Sequence, residues 1–427
     1  MVVGIERLPV GIGVPAVLPN LVRVHQRFPR PRIEDVPGAV QVELRHLDLG
    51  ARIRRGGRIA ITAGSRGIRD IVPILRTAAD AVRTAGGEPL LVAAMGSHGG
   101  GTEDGQRALL AHLGITSEAV GAPVAASMET VELGRTPRGF IAYCDRGAAE
   151  CDGLLVVNRI KPHTAFHRPF GSGLLKMLGV GLGKAAGAAQ IHRQGPAQMA
   201  GVIREIGEFV VATGRVLGGL AVIENGYEET ARVVGIPPAR IADVEVELFR
   251  EAQALMPRLP VETMDLLIVD EVGKNFSGTG MDVNVIGRWR IAGLDEPETP
   301  HAERIVALRL SEASGGNAQG IGLADFTTRA VVERIDFAAT YLNCLVSTYV
   351  QRGMIPIVLA TDRDAVLAAL GSLGLPDPLR ARIVRVPNTL HLEDVWVSEP
   401  LRGELEGEAR VVGVPEQMRF DSAGRLC

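Results

Sequence analysis

Short apolar runs that end in glycine-rich turns, each followed by an amphipathic helical stretch, most restrict the folds open to this chain. In "GRIAITAGSRGIRDIVPILRTAADAVRTAGG", residues 59–63 read as a short buried strand. Ile68, Val72, Leu75, Ala79 and Val82 then recur at helical spacing until Gly86 and Gly87 stop the helix. "EPLLVAAMGSHGGGTEDGQRALLAHLGI" repeats the scheme, with a strand over 90–95. Thr102 suits an N-cap, Glu103 and Asp104 favour the first turn, and Leu109, Leu110 and Leu113 face inward before Gly114. "CDGLLVVNRIKPH" supplies a third buried strand ending near Asn158. Pro196 opens a helix that presents Met199, Ile203, Ile206 and Val210, and "GGLAVIENG" reads as another strand. A helix over 241–256 leads into "RLPVET", the expected linker. Beyond it come a strand over 266–269, "RIVALRL", a helix over 324–342, the strand "IPIVLA" and the helix "DAVLAALGSLG". The pattern predicts an α/β fold of two α/β domains with mostly parallel sheets, one over residues 1–260 and one over 261–427.

Composition narrows the function classes. The 427 residues are 46% hydrophobic and 22% charged, which is globular, and 52 glycines gather mostly at the ends of apolar runs. A net charge of -3 gives no electrostatic case for nucleic acid or a membrane surface. There is no apolar run of about 18 residues or more, and "MVVGIERLPVGIGVP" is not a signal peptide, so a cytoplasmic location is expected. Cys144, Cys151, Cys344 and Cys427 form no C-x-x-C pair and read as free thiols.

In open α/β sheets, ligands bind beyond the carboxyl ends of the strands. Three successive strands here end in "GSRG", "GSHGGG" and "NRIKPHTAFHRPFGSG", which carry Arg66, then His98, then Lys161, His163, His167 and Arg168. A parallel sheet would bring all three loops to one edge, with a guanidinium suited to a carboxylate. Arg66 could equally hold a helix end, whereas the glycines around His98 leave room for something else. Of His163 and His167 one suffices. His25, His46, His112, His301 and His391 lack such context and read as structural or solvated.

"GSGLLKMLGVGLGKAAGAAQIH" surrounds Lys176 with small residues and stops at His192. Either its backbone packs very closely or it approaches a ligand. By residue type alone, Lys176 is a solvated helix lysine and His192 a helix-end histidine. "GVGLGK" is not a phosphate-binding loop: Leu178 stands where the first glycine belongs, and Ala185 follows the lysine. Nor is it G-x-G-x-x-G, since Lys184 takes the third glycine's place. H-E-x-x-H, G-x-S-x-G and a zinc-ligand cysteine set are absent from the sequence.

Taken together, "GSHGGGTEDGQRALLAHLGI", "NRIKPHTAFHRPFGSGLLKM" and a histidine sixteen residues after Lys176 resemble the nickel-pincer-nucleotide lactate racemase family. The resemblance extends through "SGTGMDVNVIGR". It implies a pyridinium-3-thioamide-5-thiocarboxylic acid mononucleotide joined to Lys176, with Ni(II) held by two sulfurs, a ring carbon and His192. Such a soft, square-planar donor set suits Ni(II). The small residues would let the backbone pass close to the flat cofactor, and Ser65 would contact it. The implied activity is inversion of C2 of a 2-hydroxy acid by hydride transfer. His98 and His163 would be the paired bases, work that neutral imidazole, with a reference pKa of about 6.5, suits near pH 7, and Arg66 the carboxylate ligand. The implied partners are the small-molecule substrate and the enzymes that build the cofactor, with neither nucleic acid nor membrane.

Departures from the family sharpen the expectation. Ala63-Gly64-Ser65 replaces a more polar run before the arginine. A longer span before Lys176 sets His167 beside His163 as the second base. Val285, Ile286 and Gly287 replace a Tyr-Gln pair, which leaves Lys274, Arg288 and Arg290 as substrate cations. The glycine and the extra arginine suggest an acid bulkier than lactate, bound in a cleft between the domains with "KNFSGTGMD" facing it. An oxidoreductase or lyase of 2-hydroxy acids on the same fold, and a non-catalytic nickel or nucleotide carrier, are the alternatives. The pairing of His98 with His163 favours catalysis.

Overall fold

The structure, a computed structural model, describes residues 4–6, 17–164 and 171–427. It divides into two compact units, Pro29–Met256 and a second formed by Met1–Phe28 with Pro257–Cys427. The division at Pro257 lies just before the expected linker "RLPVET", and the segment ending at Phe28, expected in the N-terminal domain over 1–260, groups with the second unit. Strand β1 (Asn20–His25) pairs antiparallel with Asp394–Ser398, in register Leu21 to Ser398 and Val24 to Val395. Leu21, Val22 and Val24 are buried there, so they complete the second unit's sheet.

In the Pro29–Met256 unit the strands are β2 (Arg58–Ala63), β3 (Glu88–Ala93), β4 (Val124–Ala125), β5 (Thr130–Arg135), β6 (Ile141–Asp145), β7 (Gly153–Arg159), β8 (Val216–Glu224) and β9 (Thr230–Ile236). Six form one sheet in the order β4-β3-β2-β7-β8-β9, and β5 pairs with β6 apart from it. Strands β4, β3, β2, β7 and β8 are parallel, and β9 is antiparallel to β8. Ile59, Ile61, Leu91, Leu155 and Val157 meet Ile74, Leu75, Ala78 and Val82 of the Ile71–Thr84 helix in one core. Each large aliphatic side chain so buried is worth about 1.5–3 kcal/mol. The Pro196–Ala212 helix buries Met199, Ile203, Ile206 and Val210, the face its spacing predicts.

The second unit contains β10 (Thr263–Val269), β11 (His301–Ala307), β12 (Phe326–Thr328), β13 (Ile357–Leu359), β14 (Ile383–Val386) and β15 (Asp394–Ser398). The order β13-β12-β11-β10-β14 is parallel, while β15 and β1 continue it antiparallel. The helix expected over 324–342 is instead strand β12, a short helix Arg329–Val332 and the helix Phe337–Ser347. Two caps cut the apolar run: Thr328 accepts from the Val331 N–H and Asp336 from the Ala339 N–H. Among the described residues, no helix is long and apolar enough to cross a membrane.

Candidate active site

Strands β3, β2 and β7 are adjacent and parallel, so the loops that follow them leave the same edge of the sheet. There the first two loops meet, with Ser65 Oγ hydrogen-bonded to His98 Nδ1. The sequence reading has Ser65 as a cofactor contact; the structure gives it an imidazole to orient. Which of the two atoms donates follows the ring tautomer, and the His98 ring is exposed. Gly99, Gly100 and Gly101 all take φ between 66° and 68°, a region closed to most side chains. The turn they make lies directly on the start of the Glu103–His112 helix. A Cβ on Gly105 would sit 1.8 Å from the Gly99 carbonyl oxygen, and Thr102 Oγ1 caps the helix by accepting from Gly105 N at 3.1 Å.

The third loop is closed at its base, where Lys161 and Ser172 exchange backbone hydrogen bonds of 3.0 and 2.8 Å. His163 lies half-buried inside it; His167 and Arg168 fall outside the described residues. Asn158, at the end of β7, donates its amide to the Gly173 carbonyl at 2.7 Å. Glu245 accepts from the N–H groups of Leu174 at 2.7 Å and Leu175 at 3.0 Å. It thereby caps the helical turn Leu174–Lys176, which passes into a π-helical turn Met177–Gly181. Burial pushes the Glu245 carboxyl up to about 7, against the pull of those two N–H groups.

The charge at this edge is positive. Lys176 is half-buried; burial, and next the Arg66 charge, push its amine down to about 7. Arg66 is open to solvent, yet the protein around it and then Arg159 hold its pKa below the ordinary arginine value. It stays charged at neutral pH. Arg159 is itself paired with Glu224, which also accepts from Arg69 N at 2.7 Å. The edge therefore attracts an anion.

The glycines between Lys176 and His192 are accounted for inside the protein. A Cβ on Gly181 would lie 2.7 Å from the Ala94 carbonyl oxygen, and Cβ atoms on Gly183 and Gly187 would lie 2.5 and 3.0 Å from that of Gly179. Close protein packing is by itself a sufficient reason for these glycines. Lys184 is fully buried and pairs with Asp145 at 3.2 Å. His192 ends the Lys184–His192 helix, half-buried. Sequence reasoning missed Glu245, Gln106 and Asp145. Glu245 carried a signal, since it sits with Ile241, Leu248, Phe249 and Ala252 on a helix face otherwise apolar.

In the second unit, the expected substrate cations have structural partners. Lys274 Nζ donates to the Gly278 carbonyl at 2.7 Å, to Gln319 Oε1 at 2.9 Å and to Asn343 Oδ1. Arg288 and Arg290 each bind one oxygen of Asp325 at 2.6 Å, and both also donate to backbone carbonyls. One carboxylate between two guanidiniums holds both side chains in place and leaves the trio with one net positive charge. Gly287 does not open space either, since a Cβ there would lie 1.5 Å from the Pro300 carbonyl oxygen. The glycine thus loses its force as a ground for a bulkier substrate.

Among the described residues, no group of three or more His, Cys, Asp or Glu is arranged to hold a metal ion. A metal held through His192 would take its other donors from a small molecule. No protein-family model matches the chain, and no curated protein matches it in sequence. Among solved structures, a protein from Thermotoga maritima aligns with TM-score 0.48 and 12% identity, over 86% of this chain and 99% of its own. The lactate racemase apoprotein from Thermoanaerobacterium thermosaccharolyticum aligns with TM-score 0.52 and 13% identity, over 87% of this chain and 98% of its own; the chain has that protein's fold.

Proposed function

We propose that the chain is a racemase or epimerase of 2-hydroxy acids that works with a covalently held nickel-pincer nucleotide. One arrangement carries the reading: half-buried Lys176 follows the third of three loops that leave one sheet edge, where Ser65 meets His98 and where the Arg66 charge acts on the lysine amine. An ordinary lysine is almost wholly protonated at neutral pH and bonds to carbon only through a trace of free amine; an amine near 7 offers about half. The donor set fits the pincer nucleotide. Lys176 would carry it through Nζ and His192 would offer its imidazole to Ni(II), with the remaining soft donors in the nucleotide itself. When bound, this group supplies the acceptor and donor for the hydrogen on C2.

The chain's own residues would do the rest. Arg66 takes the substrate carboxylate in bidentate fashion, strengthened by the positive edge around it. His98, its Nδ1 turned to Ser65, takes the hydroxyl proton on Nε2 and returns it. His163 does the same for the opposite enantiomer. The test is to produce the protein together with the cofactor-building enzymes and to measure intact mass and nickel content. The expected result is a mass increase located on Lys176, one nickel per chain, and interconversion of the enantiomers of a 2-hydroxy acid. Equal nickel and nucleotide uptake by a Lys176→Ala protein would overturn the reading.

A further inference from the structure

We propose that Gln106 is the positioning residue for His98, fixed in one amide orientation by the buried pair Lys184–Asp145. What His98 does rests on the racemase reading; how it is held does not. Gln106 is fully buried. Its Nε2 donates to the Gly96 carbonyl at 2.9 Å and to the His98 carbonyl at 3.3 Å, while its Oε1 accepts from Lys184 Nζ at 3.0 Å. An ammonium group can only donate. The amide oxygen must therefore face Lys184, and the NH2 must face the two loop carbonyls.

Lys184 is fixed in turn. Its amine also donates to the Ala93 carbonyl at the end of β3 and lies 3.2 Å from Asp145 Oδ2. The other Asp145 oxygen accepts from Ala148 N at 2.9 Å. Lys184 takes a left-handed φ of 52°, uncommon for a residue with a side chain. A buried ion pair and a strained backbone thus meet at Lys184, and each costs stability.

The loop so gripped needs a grip. Its glycines permit many conformations, and the two carbonyls held by Gln106 flank Ser97 at its root. Gly96 N also donates to the Gly181 carbonyl at 3.0 Å. One network thus ties the His98 loop to the stretch of chain that runs from Lys176 to His192. The base and the anchor hold a common register.

The test is Gln106→Glu. It keeps an oxygen for Lys184 but removes both donors and sets an oxygen against the Gly96 and His98 carbonyls. Histidine ring signals are followed by NMR across pH in the protein made without cofactor, with His98 assigned through a His98→Gln variant. The expected result is a folded variant whose unfolding midpoint falls by on the order of 5–15 °C, with the His98 ring pKa moved by about half a pH unit or more. The signals of His192 should stay in place. In the loaded enzyme, kcat should fall about tenfold or more while KM changes less than about threefold. Should the Glu variant fail to fold, Gln106→Asn keeps the amide but withdraws it by one methylene, and a smaller His98 shift is expected. An unmoved His98 ring in a folded variant overturns the proposal. A moved ring in a protein whose loaded parent shows no racemase activity upholds the positioning role and removes the racemase reading instead.

Discussion

Lys176 should be about half unprotonated at neutral pH, and this can be measured without any cofactor. Burial is the larger cause and Arg66 the second. An amine with a pKa of about 7 is half unprotonated at pH 7. A free lysine near 10.4 has only about 0.04% in that form, so the excess is roughly a thousandfold. Lower basicity reduces the intrinsic nucleophilicity, which leaves a net reactivity advantage on the order of tenfold to a hundredfold if amines follow the slope known for thiols. The chain holds only four lysines, Lys161, Lys176, Lys184 and Lys274, so acylation can be resolved site by site by peptide mass spectrometry. The rate at Lys176, taken relative to free N-acetyl-lysine, should rise to a half-maximum near pH 7. Replacing Arg66 with Met removes the repulsion and should move that midpoint upward, though not as far as 10.4, because burial remains. The sign for stability follows. Between pH 7 and about 10 the unfolded chain binds the proton that folded Lys176 does not, so stability rises with pH across that window. Lys176→Met should remove that rise and stabilise the protein at pH 7, by at most about 4 kcal/mol and less in so far as solvent reaches the amine. An acylation midpoint above about 9, or an unchanged midpoint in Arg66→Met, would refute the argument.

Gly105→Ala should cost about 1–3 kcal/mol and displace the His98 loop, although glycine-to-alanine inside a helix ordinarily stabilises; chemical denaturation gives the sign directly. Asp325→Asn should lower stability by about 2–4 kcal/mol, because Arg288 and Arg290 lose their shared carboxylate. KM for the 2-hydroxy acid should stay within twofold, and a KM rise with unchanged stability would return those arginines to the substrate. Glu229 is held down at about 2, first by Arg30 and then by Asn225. Its contribution is present above the unfolded value of about 4.3 and is lost as pH falls through about 2. Arg30→Met should therefore cost about 1 kcal/mol at pH 6, and denaturation curves should show the difference vanishing near pH 2.

Features that depend on neighbours in sequence were legible from sequence alone. The spacing of Met199, Ile203, Ile206 and Val210 predicts a helix whose buried face matches, and Thr102 caps where its position before Glu103 and Asp104 suggests. The gathering of the Arg66, His98 and His163 loops at one edge follows from parallel strands, which their apolar runs and intervening helices imply. What depended on distant partners could not be read. Arg288 and Arg290 look like free cations until Asp325 comes between them, more than thirty residues later. The glycines around Gly181 look like room for a ligand until the Ala94 carbonyl fills the space. The break at Thr328 and Asp336 was a readable signal: two capping residues inside an apolar run outweigh its helical periodicity.

Strand β1 has a consequence for how the protein is made. Its His25 pairs with Asp394, which follows 369 residues later. At about 5–20 residues per second, translation leaves that apolar strand without its partner for roughly 20–70 s. The inserted Pro29–Met256 unit is synthesised whole in the meantime and can fold first. A fusion placed ahead of Asn20 therefore burdens the last part of the protein to mature, not the first. A fragment beginning at Pro29 carries one unit entire, whereas the other unit exists only when both ends of the chain are present.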